Sequence, residues 1–306
     1  PVEKYLPEFS GLRVGREVGE GIVYEPLKRP LTVYDLLRHT AGLTYGVFFR
    51  SPVKGLYLEA GVDRFDLSRE VFLERLAALP LRFQPGETFE YGLATDLLGH
   101  LLEALAGRSL AELLEERLFR PLGMKDSGFQ AKDPARLAQP FPKDPETGHS
   151  LRLLPVETPP PRYAGGMGGV GTAADYLAFL EALRLGRGAL SPTMAGFMVQ
   201  DHLGSLYPEA LKRGPEYLPG PGYSFGLGVA VRVEPMGYSP GALGEWTWAG
   251  FGGTFFFVDP LQEITALYLA QAPNLLSVLE PEKALHSRLG ARLQHAFRTL
   301  VYLGLE

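Results

Sequence analysis

The chain has 306 residues, 45% hydrophobic and 21% charged, with a formal net charge of −5. This allows a large core in one or two lobes, and the lack of a basic block argues against a nucleic-acid partner. There is no cysteine, which excludes disulfides, thiol nucleophiles and thiolate metal sites.

No apolar run reaches the roughly 20 residues of a membrane span. Asn274 is the only asparagine and arginine outnumbers lysine, usage that points to a thermophile. Neither a charged n-region nor an apolar h-region follows Pro1, so no intact secretory signal is read. A cytoplasmic location is expected, with an earlier stretch either removed or lying upstream.

The first half reads helical. In "RPLTVYDLLRHTAGL", Thr32 and Asp35 form a capping box, with Leu31 and Leu36 as a hydrophobic staple. "FEYGLATDLLGHLLEAL" (89–105) opens as a strand-like aromatic run and turns helical, with Tyr91 at the junction. Leu97, Leu98, Leu101, Leu102 and Leu105 share one helical face, and Gly107 ends the helix. Ser109 and Glu112 cap the next one. Residues 131–162, rich in proline and charge, read as a long surface excursion.

In the second half Thr172 and Asp175 cap a helix carrying Tyr176, Leu177, Phe179, Leu180 and Leu183. "YSFGLGVAVRV" reads as one alternating strand, its other face small at Gly226, Gly228 and Ala230. "GEWTWAG", "GTFFFVDP" and "EITALYLAQ" give three more strands with short connections, hence antiparallel. A closing helix carries Leu285, Leu289, Leu293, Phe297, Leu300 and Val301. The expected class is α+β: an antiparallel sheet flanked by helices beside a mostly helical lobe, divided near 1–162 and 163–306.

Two serine motifs match only literally. In "GYSPG" (237–241) the residue after Ser239 is Pro240, which has no N–H for an oxyanion hole. "SPVK" (51–54) matches S-x-x-K, but Ser51 before Pro52 also reads as an N-cap, and Gly55 weakens the helix just after Lys54. The six histidines have no metal-ligand spacing, so no metal or cofactor is expected. "GGMGGVGT" (165–172) offers either an anion cradle or close backbone packing, and packing is favoured.

"RPLTVYDLLRHTAGLTYG", "FEYGLATDLLG", "GGMGGVGTAADYLAFL" and "EWTWAGFGGTFFFVDP" occur in the order found in the serine β-lactamase-like hydrolases. That superfamily includes class C β-lactamases, penicillin-binding D,D-peptidases and family VIII carboxylesterases, and the sequence most resembles the last. The resemblance runs from Pro1 to "AFRTLVYLGL". "PVEKYLPEF" resembles the segment after the family's S-x-x-K helix, so the nucleophile is expected on a segment missing from this sequence. Ser51 and Lys54 fall after "HTAGL" rather than before it and are decoys.

The resemblance makes Tyr91 the tyrosine of Y-x-N, a proton shuttle. A free phenol titrates near ~10, so it needs a neighbouring cation to act as a base at neutral pH. Asp96 matches an acidic position common in the esterase subgroup, and equally reads as a first-turn carboxylate on the helix dipole. Leu93 stands where the family has asparagine, and Trp248-Ala249-Gly250 stand for K-T-G. Both changes remove polar recognition and favour neutral esters over β-lactam acids. By the same resemblance Phe251 offers its backbone N–H to the oxyanion, while Tyr45 is a candidate pocket residue. The expected activity is cleavage of small esters through an acyl-enzyme. The alternatives are weak β-lactamase or D,D-peptidase activity, or a catalytically inactive binding or scaffold homologue.

Overall fold

The computed structural model describes residues 1–48, 50–144, 147–151, 154–213, 220–235, 239–272 and 290–305. The chain forms two compact units, Pro1–Glu115 with Thr158–Gly169 and Leu203–Leu218, and Glu116–Glu157 with Val170–His202 and Pro219–Glu306. The lobes expected at 1–162 and 163–306 are thus replaced by interleaved units. Short excursions such as Thr158–Gly169 are held by side chains far away in sequence.

The first unit carries a hairpin that the helical reading of the first half missed. β1 (Arg13–Val18) and β2 (Gly21–Pro26) pair antiparallel around Gly19-Glu20, with Gly19 at φ +59°. Positive φ at a two-residue hairpin loop suits glycine. Most of β2 is solvent-exposed, which hides the period-2 signal. α1 (Val33–Leu37) begins with the expected capping box, Thr32 and Asp35 bonding reciprocally, and the staple residues Leu31 and Leu36 are buried. α2 (Pro52–Ala60), α3 (Arg69–Ala77), α4 (Ala94–Ala106) and α5 (Leu110–Leu114) follow. Ser109 and Glu112 complete a second capping box, and Gly107 ends α4 at φ +64°. α4 buries Leu97 and Leu101, with Leu98 at the margin, whereas Leu102 and Leu105 face solvent. The buried stripe is narrower than its leucines imply.

Asp35 is tied beyond its cap. Arg29 donates to both its oxygens at 2.6 and 2.7 Å, and Thr40 Oγ1 donates at 3.0 Å. Burial pushes this carboxyl up, but the Arg29 and Thr32 bonds outweigh it and hold it below the usual carboxylate range. A depressed folded pKa gives stability that is present above the unfolded value, near ~3.9, and is lost as pH falls through the folded one. Asp35→Asn is expected to cost about 1.5–3 kcal/mol at pH 7. The gap to the parent protein narrows below about pH 4. Urea unfolding at pH 7 and pH 3 checks this, and an equal deficit at both would refute it.

The second unit is built on an antiparallel sheet of order β3-β4-β5-β6-β7: Tyr223–Phe225, Ala230–Arg232, Trp246–Ala249, Phe255–Asp259 and Ile264–Tyr268. The single strand expected over 223–233 is instead the β3–β4 hairpin. Tyr223 faces Arg232, Phe225 faces Ala230, and Gly226 N donates to Val229 O at 2.7 Å. Gly228 at φ +90° turns the chain, and a Cβ on Gly226 would sit 2.5 Å from Met198 O. The small face is therefore a turn with close backbone packing, as its glycines require.

α6 (Arg120–Leu122) precedes the excursion, while α7 (Ala173–Arg184) and α8 (Pro192–Met198) bury Leu180, Leu183 and Ala195 against Val231, Trp246 and Val258. Tyr176 and Leu177 of α7 are exposed. Thr172 caps α7, but the Asp175 carboxylate turns to Asp126 N and Ser127 Oγ, at 2.8 and 2.9 Å. α9 (Tyr207–Leu211) belongs to the first unit. α10 (Gly290–Leu303) packs Phe297, Val301 and Tyr302 on Phe255, Phe257, Ile264 and Ala266. Leu293 and Leu300 are exposed, and Leu285 and Leu289 lie outside the described residues. β6 is buried along its whole length, which explains the unbroken "FFFV" run. Among the described residues no helix is long and apolar enough to cross a membrane.

Candidate active site

Two segments of the first unit carry the candidate residues. Residues 39–45 follow α1, and residues 89–93 lead into α4; 89–91 form no strand. Glu90 N donates to His39 O at 2.8 Å. At Gly92 a Cβ would overlap Leu43 O and Thr44 Cα, so only glycine lets the two backbones approach this closely. The Tyr91 ring lies 5.5 Å from that of Tyr45 and 5.0 Å from that of His39, centroid to centroid.

His39 has φ 53°, the left-handed region, and its Nε2 is 3.2 Å from Thr95 Oγ1. Burial pushes its imidazole down to about 3, so it is neutral at physiological pH. Burial also pushes the Tyr45 phenol well up, and the Asp96 carboxylate adds to the shift. Tyr91 therefore packs between a neutral imidazole and a protonated phenol.

Glu90 is buried beneath this pair of segments. Thr44 Oγ1 donates to its Oε1 at 2.5 Å, while Arg213 Nη2, Arg82 Nη1 and Lys54 Nζ lie 2.6, 3.2 and 3.5 Å from its oxygens. Arg213 Nη1 also donates to Phe89 O. Burial pushes the Glu90 carboxyl up, but the three cations, Lys54 foremost, outweigh it and hold it below the usual range.

This cluster accounts for "SPVK". Ser51 caps α2, its Oγ accepting from Lys54 N at 3.4 Å, and the Lys54 side chain is buried against Glu90. In "GYSPG", Gly237 and Tyr238 lie outside the described residues, and Ser239 O accepts from Arg232 Nη1 at 3.1 Å.

Asp96, in the first turn of α4, has no solvent exposure and pairs with Arg162, 1% exposed, at 3.3 Å. The Arg162 guanidinium lies 4.2 Å from the centre of the Phe72 ring. Burial raises the Asp96 carboxyl, and Arg162 only partly offsets it. A Cβ on Gly166 would sit 2.5 Å from Asp96 Oδ2, and one on Gly165 would overlap Thr95 O. Close packing on α4 thus accounts for the first glycines of "GGMGGVGT". Leu93, the N-cap of α4, is 0% exposed and belongs to the core.

In the second unit Trp248 is half-buried on β5, edge-to-face with Phe225 at 5.2 Å. Gly250 begins the turn into β6, its N donating to Thr254 O at 2.8 Å. Phe251, on that turn, is 52% exposed. Among the described residues no group of three or more His, Asp or Glu is placed to hold a metal.

The sequence marks Tyr45, Tyr91 and Asp96 but passes over Thr44, Glu90 and Arg162. A carboxylate between two aromatics, "FEY", was the visible hint for Glu90. Arg162 lies in a proline-rich stretch that carries no such hint.

The beta-lactamase family profile matches residues 1–286. The chain belongs to the beta-lactamase family. Esterase EstB of Burkholderia gladioli is 33% identical over 290 residues, covering 88% of this chain and 69% of that protein. Protein Rv1367c of Mycobacterium tuberculosis is 32% identical over 293 residues, covering 91% and 72%. The solved structure of EstCE1, described as a hydrolase with promiscuous acyltransferase activity, superposes with a TM-score of 0.71 at 29% identity, covering 94% and 77%. The mixed helix and antiparallel-sheet architecture of this beta-lactamase family member is thus the β-lactamase/transpeptidase-like fold expected from the sequence.

Proposed function

We propose that this chain is part of a serine hydrolase that cleaves small carboxylic esters through an acyl-enzyme, with Tyr91 as proton shuttle. The observation that carries this is the placement of Tyr91 at the entry to α4, packed between His39 and Tyr45, in a family member about one-third identical to an esterase. The nucleophilic serine and its lysine lie on a segment outside residues 1–306. What supports this is the use made of Ser51 and Lys54, one in a helix cap and the other against Glu90.

In the proposed reaction the serine oxygen attacks the ester carbonyl. Its proton passes through the lysine–Tyr91 pair to the departing alkoxide. Water then attacks the acyl-enzyme, Tyr91 relays the water's proton, and the serine is regenerated as the acid leaves. Phe251 N–H is the group that the family pattern assigns to the oxyanion, a donor worth about 10²–10³ in rate. Trp248, an indole in place of a cation, supports neutral acyl groups over β-lactam carboxylates.

A fluorophosphonate probe is expected to label the full-length protein once, at the upstream serine. Full-length protein is also expected to hydrolyse p-nitrophenyl butyrate faster than nitrocefin. Absence of label would leave the inactive scaffold reading standing, and faster nitrocefin turnover would overturn the substrate assignment.

A further inference from the structure

Thr44 and Glu90 lie 46 positions apart, yet each immediately precedes one of the two contacting tyrosines, Tyr45 and Tyr91, whose rings are tilted by 58°. Thr44 Oγ1 donates to Glu90 Oε1 at 2.5 Å with both side chains buried. This bond links the two segments at the residues next to the rings. The backbone repeats the link, since Glu90 N donates to His39 O and Gly92 packs on Leu43 and Thr44. Arg213 completes it, holding Glu90 Oε2 at 2.6 Å and Phe89 O together.

A carboxylate is suited to this task because it only accepts hydrogen bonds, so it fixes the direction of the Thr44 hydroxyl while receiving several donors at once. Lys54, Arg82 and Arg213 compensate the cost of burying the charge. The cluster acts on Tyr91 through the backbone it holds.

We infer that Glu90 is a positioning residue for the acyl-transfer reaction, clamping Thr44 so that Tyr45 and Tyr91 keep one mutual geometry. This rests on the reading of Tyr91 as proton shuttle. Its expected signature is a loss in kcat rather than in KM, because a displaced shuttle slows proton transfer without weakening substrate binding.

The test uses the full-length enzyme with p-nitrophenyl butyrate. Thr44→Val keeps the side-chain shape and removes one donor, so it perturbs the fold less than Glu90→Gln, which leaves three cations facing a neutral amide. Thr44→Val is expected to lower kcat about ten- to a hundredfold with KM within about twofold, and Thr44→Ser restores the parent rate. Glu90→Gln lowers kcat at least as far. Independently of turnover, the protein carrying [ζ-13C]tyrosine is observed by NMR, with Tyr45→Phe and Tyr91→Phe assigning the two resonances. Both resonances move in Thr44→Val. Parent-like kcat and unmoved resonances in Thr44→Val overturn the proposal, as does failure of Thr44→Ser to restore the rate. Parent-like kcat in Tyr91→Phe overturns the shuttle reading instead, and the two failures are told apart in one experiment.

Discussion

Tyr91→Phe in the full-length enzyme is expected to lower kcat for p-nitrophenyl butyrate by about 10²–10⁴-fold, the usual weight of a general acid–base group. KM should change little, because the phenol acts on the transferring proton and the ring is retained. Phenylalanine preserves the packing against Tyr45 and His39, whose ring centres lie 5.5 and 5.0 Å away. The thermal midpoint should therefore stay near that of the parent. A parent-like kcat would remove Tyr91 from the chemistry. A large drop in midpoint would make the effect one of folding.

The largest stability effect is expected at Arg162. Arg162→Met leaves Asp96 buried and unpaired, a loss of about 3–5 kcal/mol at neutral pH. Asp96 has no exposed surface, and Arg162 forms an ion pair with it at 3.3 Å. The Asp96 carboxyl is already raised by burial, and removing the guanidinium raises it further. A group with a raised folded pKa contributes its stability fully below the unfolded value and loses it as pH rises through the folded one. Arg162→Met should thus lie closer to the parent at pH 5 than at pH 8. The double substitution Asp96→Asn with Arg162→Met should recover much of the loss, since replacing both members of a buried pair is often near neutral. Urea unfolding of the three proteins at both pH values decides it, and a single variant unfolding with the parent at pH 8 would sink the argument.

Local signals were legible where the physics is local. Thr32 with Asp35 and Ser109 with Glu112 cap as their three-residue spacing demands. Gly107 closes α4, and Ser51 caps α2. Legibility failed where a turn hides inside an alternating pattern. Gly226–Val229 reverses the chain within a stretch whose period-2 hydrophobicity looks continuous, because both arms of a hairpin carry the same period. It failed again where burial depends on partners far along the chain. The leucines of α4 are equally apolar, yet Leu97 is buried and Leu105 is not. At the site, Tyr91 stood out through family resemblance. Thr44, Glu90 and Arg162 did not, since the Thr44–Glu90 bond spans 46 positions and the Arg162–Asp96 bond spans 66.

The interleaving of the two units constrains how the chain emerges from the ribosome. The first unit is interrupted after Glu115 and resumes at Thr158, then again at Leu203. A nascent chain made through Glu115 contains Asp96 without Arg162, and Glu90 with Lys54 and Arg82 but without Arg213, so folding it would bury Asp96 unpaired and Glu90 without its nearest cation. That is a cost the early chain avoids by staying open. Co-translational protease protection of the first unit should therefore appear only once Arg213 has left the exit tunnel, and a dissected fragment of residues 1–115 should not survive proteolysis.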